Sequence, residues 1–173
     1  MELKKASACE WRELYALMEQ SFIYEERRDG EAFREEMKRR DFTVYHIVEE
    51  GESVGFISVW TLSDGLFVEH FALREECRGN GFGGQALDLL CQKHGKVCLE
   101  VEFPVEQNQI RRVRFYEKHG FHRNAFSYEQ PSYHGGEPLP LIIMSYPAPL
   151  KDDSIVKEIY EKVYGIIRRV EDR

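Results

Sequence analysis

The chain has 173 residues, 42% of them hydrophobic, with 11 Phe and 9 Tyr, which suits one domain with a substantial core and excludes a disordered chain. Its net charge of −7 disfavours nonspecific nucleic-acid binding, no apolar stretch is long enough to cross a membrane, and the first residues lack the apolar core of a signal peptide. A cytoplasmic protein with neither nucleic acid nor membrane as partner is therefore expected. Cys9, Cys77, Cys91 and Cys98 form no Cys-x-x-Cys pair, and Gly120 interrupts the segment between His119 and His122, so reduced thiols and no metal site are expected.

Ser7 and Glu10 have capping-box spacing, which predicts a helix from there to about residue 22 with Leu14, Leu17 and Met18 inward. After a polar loop at 23–30, a second helix is expected over 31–39, with Phe33 and Met37 inward. Runs at 43–49, 53–62 and 66–73 are rich in β-formers and separated only by Glu50-Gly51-Glu52 and Ser63-Asp64-Gly65, the spacing of an antiparallel meander. On the third run, alternation puts Phe67, Glu69, Phe71 and Leu73 on one side and Val68, His70 and Ala72 on the other. Glu69 is thus an acid in an apolar row. Desolvation there raises its pKa towards that of a general base; an edge position facing solvent or an arginine is the alternative.

The run Arg78, Gly79, Asn80, Gly81, Phe82, Gly83, Gly84 lies between this strand and a helix over 85–94. Glycines let a ligand approach the backbone, and the free N–H groups of a helix start attract anions, so a phosphate-bearing ligand is expected; a simple tight turn is the bland alternative. Gly79-x-Gly81-x-x-Gly84 also matches a dinucleotide fingerprint, with Glu100 and Glu102 near the place of its ribose acid. The meander before it and the polar stretch 74–78 fit that motif poorly, and no Gly-Lys-Ser/Thr follows for a P-loop. A strand at 97–101 comes next. Pro104 cannot donate to a ladder, so pairing is expected to stop near it.

A helix from Asn108 carries Ile110, Val113, Phe115 and Tyr116 on an apolar side and Arg111, Arg112, Arg114 and Lys118 as positive charge. Strands over 122–128 and 139–146 follow, joined by a long loop at 129–138 in which Tyr133 and His134 are either substrate contacts or surface turn residues. A last helix over 155–170 has a stripe of Ile155, Ile159, Val163, Ile166 and Val170, either packed on the domain or a surface for forming a homodimer.

Two blocks resemble a known family. Phe71-Ala72-Leu73, a short acidic turn and Arg78 to Gly83 look like the pyrophosphate loop of the GNAT superfamily, and Arg114-Phe115-Tyr116-Glu117-Lys118-His119-Gly120-Phe121 is similar to the same family's Tyr-Glu-Lys-x-Gly-Phe segment. The resemblance spans about residues 3–146. It implies an α/β fold with a mixed, mostly antiparallel sheet, a splayed parallel strand pair, helices on both faces and a C-terminal helix: a GNAT domain over 1–147 and a helical extension over 148–173. It implies an N-acetyltransferase that moves acetyl from acetyl-CoA to an amine of a small molecule or peptide by direct transfer in a ternary complex.

By the same resemblance, Phe71, Ala72, Leu73, Arg78, Gly79, Asn80, Gly81, Phe82, Gly83, Gly84, Asn108 and Phe115 bind coenzyme A. Tyr116 protonates the departing thiolate, Glu69 accepts the amine proton, and Glu100, Glu102 and Tyr133 bind the acceptor. The loop at Tyr24, Glu25 and Glu26 falls where the family covers its acceptor site. Asn108 and Tyr116 are spaced slightly more widely than is common in the family. A noncatalytic acyl-CoA-binding module and, less favoured, a dinucleotide-dependent oxidoreductase remain as other readings.

Overall fold

The computed structural model of the chain describes residues 1–165. Among these residues, eight strands form one sheet in the order β1-β2-β3-β4-β5-β8-β6, with β7 paired to β8: β1 (Glu2–Lys5), β2 (Phe42–Glu49), β3 (Glu52–Leu62), β4 (Gly65–Leu73), β5 (Val97–Val101), β6 (His122–Arg123), β7 (Tyr128–Gln130) and β8 (Leu139–Tyr146). Every neighbouring pair is antiparallel except β4 and β5. The short turns at 50–51 and 63–64 enforce antiparallel pairing of β2, β3 and β4, whereas the parallel step to β5 needs the crossover through α3 (Phe82–His94).

Helices cover both faces. On one, α1 (Trp11–Ser21), α2 (Gly30–Glu36) and α5 (Ser154–Ile159) pack Leu14, Leu17, Met18, Phe33 and Ile159 against Phe42, Phe56, Trp60 and Phe67. On the other, α3 and α4 (Gln107–Lys118) pack Ala86, Leu87, Leu90 and Val113 against Ile47, Ile57, Val68 and Leu99. The capping box at Ser7 is present, with Ser7 N–H donating to Glu10 at 2.6 Å, although it opens a 3-10 turn (Ala8–Glu10) before α1 begins. α2 stops at Glu36 instead of reaching 39. The strand expected over 122–128 is interrupted because Asn124 turns inward, donating from its side-chain amide to Ile143 O and accepting from Leu150 N.

β4 departs most from its expected alternation. Ser58 pairs with His70 while its neighbour Val59 pairs with Val68, so Glu69 is an extra, bulged residue. The bulge reverses the parity of everything after it. Phe67 faces the α1 side, whereas Phe71 and Leu73 belong to the α3 side, which corrects the row of Phe67, Glu69, Phe71 and Leu73 read from simple alternation. Glu69 and His70 consequently both face the α1 side, as their partners there show. The β4–β5 pairing also ends at Val68 and Leu99. The strands therefore part at the bulge, well before Pro104, because the bulged backbone no longer presents its groups to β5.

The C-terminal segment packs onto its own domain. α5 continues into a π-helical turn (Tyr160–Tyr164), and Ile159 and Val163 are 0% and 2% exposed in the α1-side core. Of the apolar stripe, Ile159 and Val163 are thus buried within the subunit and Ile155 is partly buried against the same core; Ile166 and Val170 lie outside the described residues.

Candidate functional site

Where β4 and β5 part, a cleft of about 630 Å³ opens, lined by the ends of both strands, the glycine turn, α4 and the end of α1. At one end is the turn. Gly79 and Gly81 have φ of +81° and +79°, and Gly81 is the N-cap of α3. The first intrahelical bond is Gln85 N–H to Gly81 O, so the N–H groups of Phe82, Gly83 and Gly84 are left over by the helix. Gly83 has Phe71, Leu73 and Phe115 just beyond where a Cβ would stand. With Arg78 and Arg112 also lining the cleft, this end has the backbone donors and cations that a pyrophosphate requires.

Of the other residues assigned to the cofactor, Phe71, Ala72, Leu73 and Phe115 line the cleft, whereas Asn80, Phe82 and Asn108 do not. Asn80 folds its amide back on Cys77 O and Arg78 O, Phe82 packs on the core under α3, and Asn108 is exposed on the first turn of α4. Gly84 lines the cleft, but the close approach it permits is to His119: an added Cβ would lie 2.6 Å from that ring, whose Nδ1–H donates to Asp88 at 2.7 Å. Gly84 is thus needed to let α3 and α4 meet.

Tyr116, also in the lining, packs its ring against Phe115 and Phe121, and its hydroxyl makes no hydrogen bond among the described residues. Burial pushes its pKa up to about 12, with Arg112 pulling slightly the other way.

Two carboxylates reach the cleft from the parted strands. Glu69, with its side chain 2% exposed, accepts from Trp60 Nε1 at 2.8 Å and Tyr133 Oη at 2.9 Å and pairs with Arg28 at 3.1 Å. Burial alone would raise its pKa. The Arg28 charge, the neighbouring His70 and the two hydrogen bonds outweigh burial and hold it below the ordinary carboxylate value, contrary to the elevated pKa expected from sequence. Arg28 also meets Glu36 at 2.7 Å, and burial beside Glu69 pushes the Glu36 carboxyl up.

Glu100 is held differently. Oε1 accepts from Tyr164 Oη at 2.6 Å, and Oε2 is buried with no hydrogen-bond partner among the described residues. The Tyr128 hydroxyl lies nearby without completing a bond. Burial raises Glu100 to about 7, the hydrogen bond from Tyr164 pulls it back, and the Glu69 charge adds to the rise.

The remaining acceptor-side assignments are placed elsewhere. Glu102 pairs with Arg112 at 2.9 Å outside the lining. Tyr133 donates to Glu69 and is not among the residues lining the cleft. His134 donates from Nε2 to Tyr24 O and Arg27 O and stacks on Tyr24 with ring centroids 3.8 Å apart, so it ties the 129–138 loop to the α1–α2 loop. Arg28, Glu36, Tyr128 and Tyr164 were not singled out from sequence; only contacts across the fold bring them to the site. The adjacent acid and histidine Glu69-His70 inside an apolar strand were the one local sign of the bulge.

The model of the acetyltransferase (GNAT) family matches residues 11–121. A Bacillus subtilis (strain 168) protein named as an acetyltransferase, YjbC, is 25% identical over 143 residues, covering 80% of this chain and 69% of that protein. A GNAT-family acetyltransferase structure from Bacteroides thetaiotaomicron is 31% identical with a TM-score of 0.88, over 95% of this chain and 99% of the other. An aminoglycoside 6'-N-acetyltransferase complexed with coenzyme A shares the fold at a TM-score of 0.61 and 17% identity, over 88% and 100% of the two chains. The chain belongs to the GNAT acetyltransferase family, whose acyl donor is acetyl-CoA.

Proposed function

We propose that this protein acetylates a cationic primary amine, of a small molecule or a peptide, by direct transfer in a ternary complex with Glu100 as the general base. The observation that carries the reading is the cleft itself: an anion-binding turn at one end, and at the other a buried carboxylate with one oxygen unpartnered and a pKa of about 7. Acetyl-CoA supplies the acetyl group on a thioester.

Glu100 suits the base because a group titrating near neutrality combines a useful deprotonated fraction with real basicity. Glu69 is a poor base, being already occupied by three donors. Its fixed negative charge has another use: once Glu100 ionises, the two carboxylates outweigh the Arg28 guanidinium, a field that favours an ammonium over a neutral or anionic acceptor, while Glu36, pushed up to about 8, stays mostly protonated at neutral pH.

Tyr116, a residue of the cleft lining, keeps its proton throughout the neutral range, and its hydroxyl makes no hydrogen bond among the described residues. A phenol at about 12 is more than three units weaker as an acid than an ordinary thiol, so full transfer to a thiolate is uphill by roughly 5 kcal/mol. Tyr116 is therefore a hydrogen-bond donor to developing negative charge more than a complete proton donor. Direct transfer is favoured because none of the four cysteines lines the cleft, and burial raises the thiols of Cys91 and Cys98, which disfavours a nucleophilic thiolate.

The test is an amine panel with acetyl-CoA and thiol release as readout. Turnover with cationic amines, with intersecting initial-velocity lines, is expected. Turnover only with neutral or anionic acceptors, or parallel lines, would contradict it.

A further inference from the structure

The Glu100 side chain is gripped by a part of the chain that lies beyond residue 121, where the family match ends. α5 and the π-helical turn are fixed at their flanks. Ser63 donates from N and Oγ to Glu158 at 2.7 Å each, Lys162 Nζ donates to Thr61 O at 3.0 Å, and Ile159 and Val163 are buried between these anchors. Arg28 reaches across to Val163 O and ties the turn to the Glu69 pair.

This anchoring fixes Tyr164. Its ring packs 5.6 Å from Tyr133, and Gln130 Nε2 donates to its oxygen at 3.1 Å. A phenol has one proton, and with the amide of Gln130 already donating to the oxygen, that proton is directed to Glu100 Oε1. Oε1 is thereby occupied and Oε2 left over.

We propose that Tyr164 is a positioning residue for acetyl transfer: by holding Oε1, the C-terminal segment fixes the Glu100 rotamer and reserves Oε2 for the acceptor amine. The inference rests on Glu100 being the base. The titratable groups facing Glu100 are Tyr164 and Tyr160 of the C-terminal segment, Tyr128 of β7, Tyr133 of the loop, Glu69 of β4 and Cys98 of its own strand. Burial raises the four phenols and the thiol, which stay protonated at neutral pH, and Glu69 stays ionised, so Glu100 is the member of this set that titrates there.

The experiment compares Tyr164→Phe with Tyr160→Phe, which removes a hydroxyl of the same segment that donates to Glu129 O at 2.8 Å. Carboxyl NMR of the ¹³C-glutamate-labelled protein reads the Glu100 titration without substrate, and the acidic limb of kcat/KM reads it in turnover. Losing a donor to the ionised form raises the pKa, so Tyr164→Phe is expected to shift both readouts upward by roughly one pH unit, with Tyr160→Phe shifting neither.

Gln130→Leu, a second handle that keeps Tyr164 but removes the amide that donates to its oxygen and also favours ionised Glu100, shifts the titration in the same direction by less. An unmoved Glu100 titration in folded Tyr164→Phe, or an equal shift in Tyr160→Phe, overturns the proposal. The base reading fails separately: an acidic limb that survives Glu100→Gln overturns it. A limb lost in Glu100→Gln yet unmoved in Tyr164→Phe overturns only the role of Tyr164.

Discussion

Glu69 has the Arg28 cation beside hydrogen bonds from Trp60 and Tyr133, whereas Glu100 is held by neutral groups, Tyr164 first among them, and that difference sends two buried carboxyls in opposite directions. Folded Glu100, at about 7 against an ordinary 4.5, binds its proton more tightly than the unfolded chain does. The stability that this proton contributes is complete below pH 4.5 and lost as pH rises through about 7. Glu100→Gln should therefore be more stable than the unmodified protein above pH 7, by at most about 3 kcal/mol, with the advantage vanishing towards pH 4.5. Denaturant titrations across that range check it, and an advantage independent of pH would contradict the assigned shift. Arg28 has the opposite importance. Arg28→Met leaves Glu69 buried without its cation and should cost about 3–5 kcal/mol, much of which Glu69→Gln in the same chain restores if the loss is electrostatic. Calorimetric melting of the two variants distinguishes this from lost packing. The sequence left Glu69 open between a desolvated acid with a raised pKa and an acid meeting solvent or an arginine, and it did not single out Arg28 among several charged loop residues.

The turn and the helix it opens were legible, because glycines at 79 and 81 between a strand and a helix mark either a tight turn or an anion site, and the second family-like block favours the latter. Their roles separate in experiment. Gly81 sits at φ +79° on an open turn, so Gly81→Val imposes a strained backbone where the cofactor's phosphates are proposed to dock and should weaken acetyl-CoA binding by roughly tenfold or more, as read by calorimetry. Gly84→Ala instead drives a methyl into the His119 ring and should cost about 1–3 kcal/mol of stability, with the smaller effect on affinity. Equal affinity losses in both would mean that helix packing, not the turn, sets the site. The parting of β4 and β5 was expected from the family resemblance, but its place was read too late in the chain. Pro104 is an evident breaker, but the pairing ends at the Glu69 bulge, and a bulge depends on how Ser58 and Val59 pair across the sheet, of which β4 itself carries only the hint of Glu69-His70 in an apolar run.

At the scale of the molecule, the C-terminal segment is where periodicity informed least. Its apolar stripe fits an interface or a core equally well, and the difference lies in whether Ile159 and Val163 find their own sheet, which they do. Ile159→Asp should consequently unfold or aggregate the protein by burying an unpaired charge, at a cost of several kcal/mol, instead of yielding a soluble folded form; light scattering with circular dichroism distinguishes the outcomes. The same docking brings Tyr164 to Glu100 and joins the far end of the chain to the parted strands. The most direct measurement on this assembly is the pH dependence of kcat/KM for an accepted amine in the unmodified protein and in Glu100→Gln. The unmodified profile should rise with an apparent pKa of about 7, and Glu100→Gln should lose that limb together with roughly 10²–10⁴ of the rate. A Glu100→Gln protein that keeps both the limb and the rate would show that another group takes the amine proton.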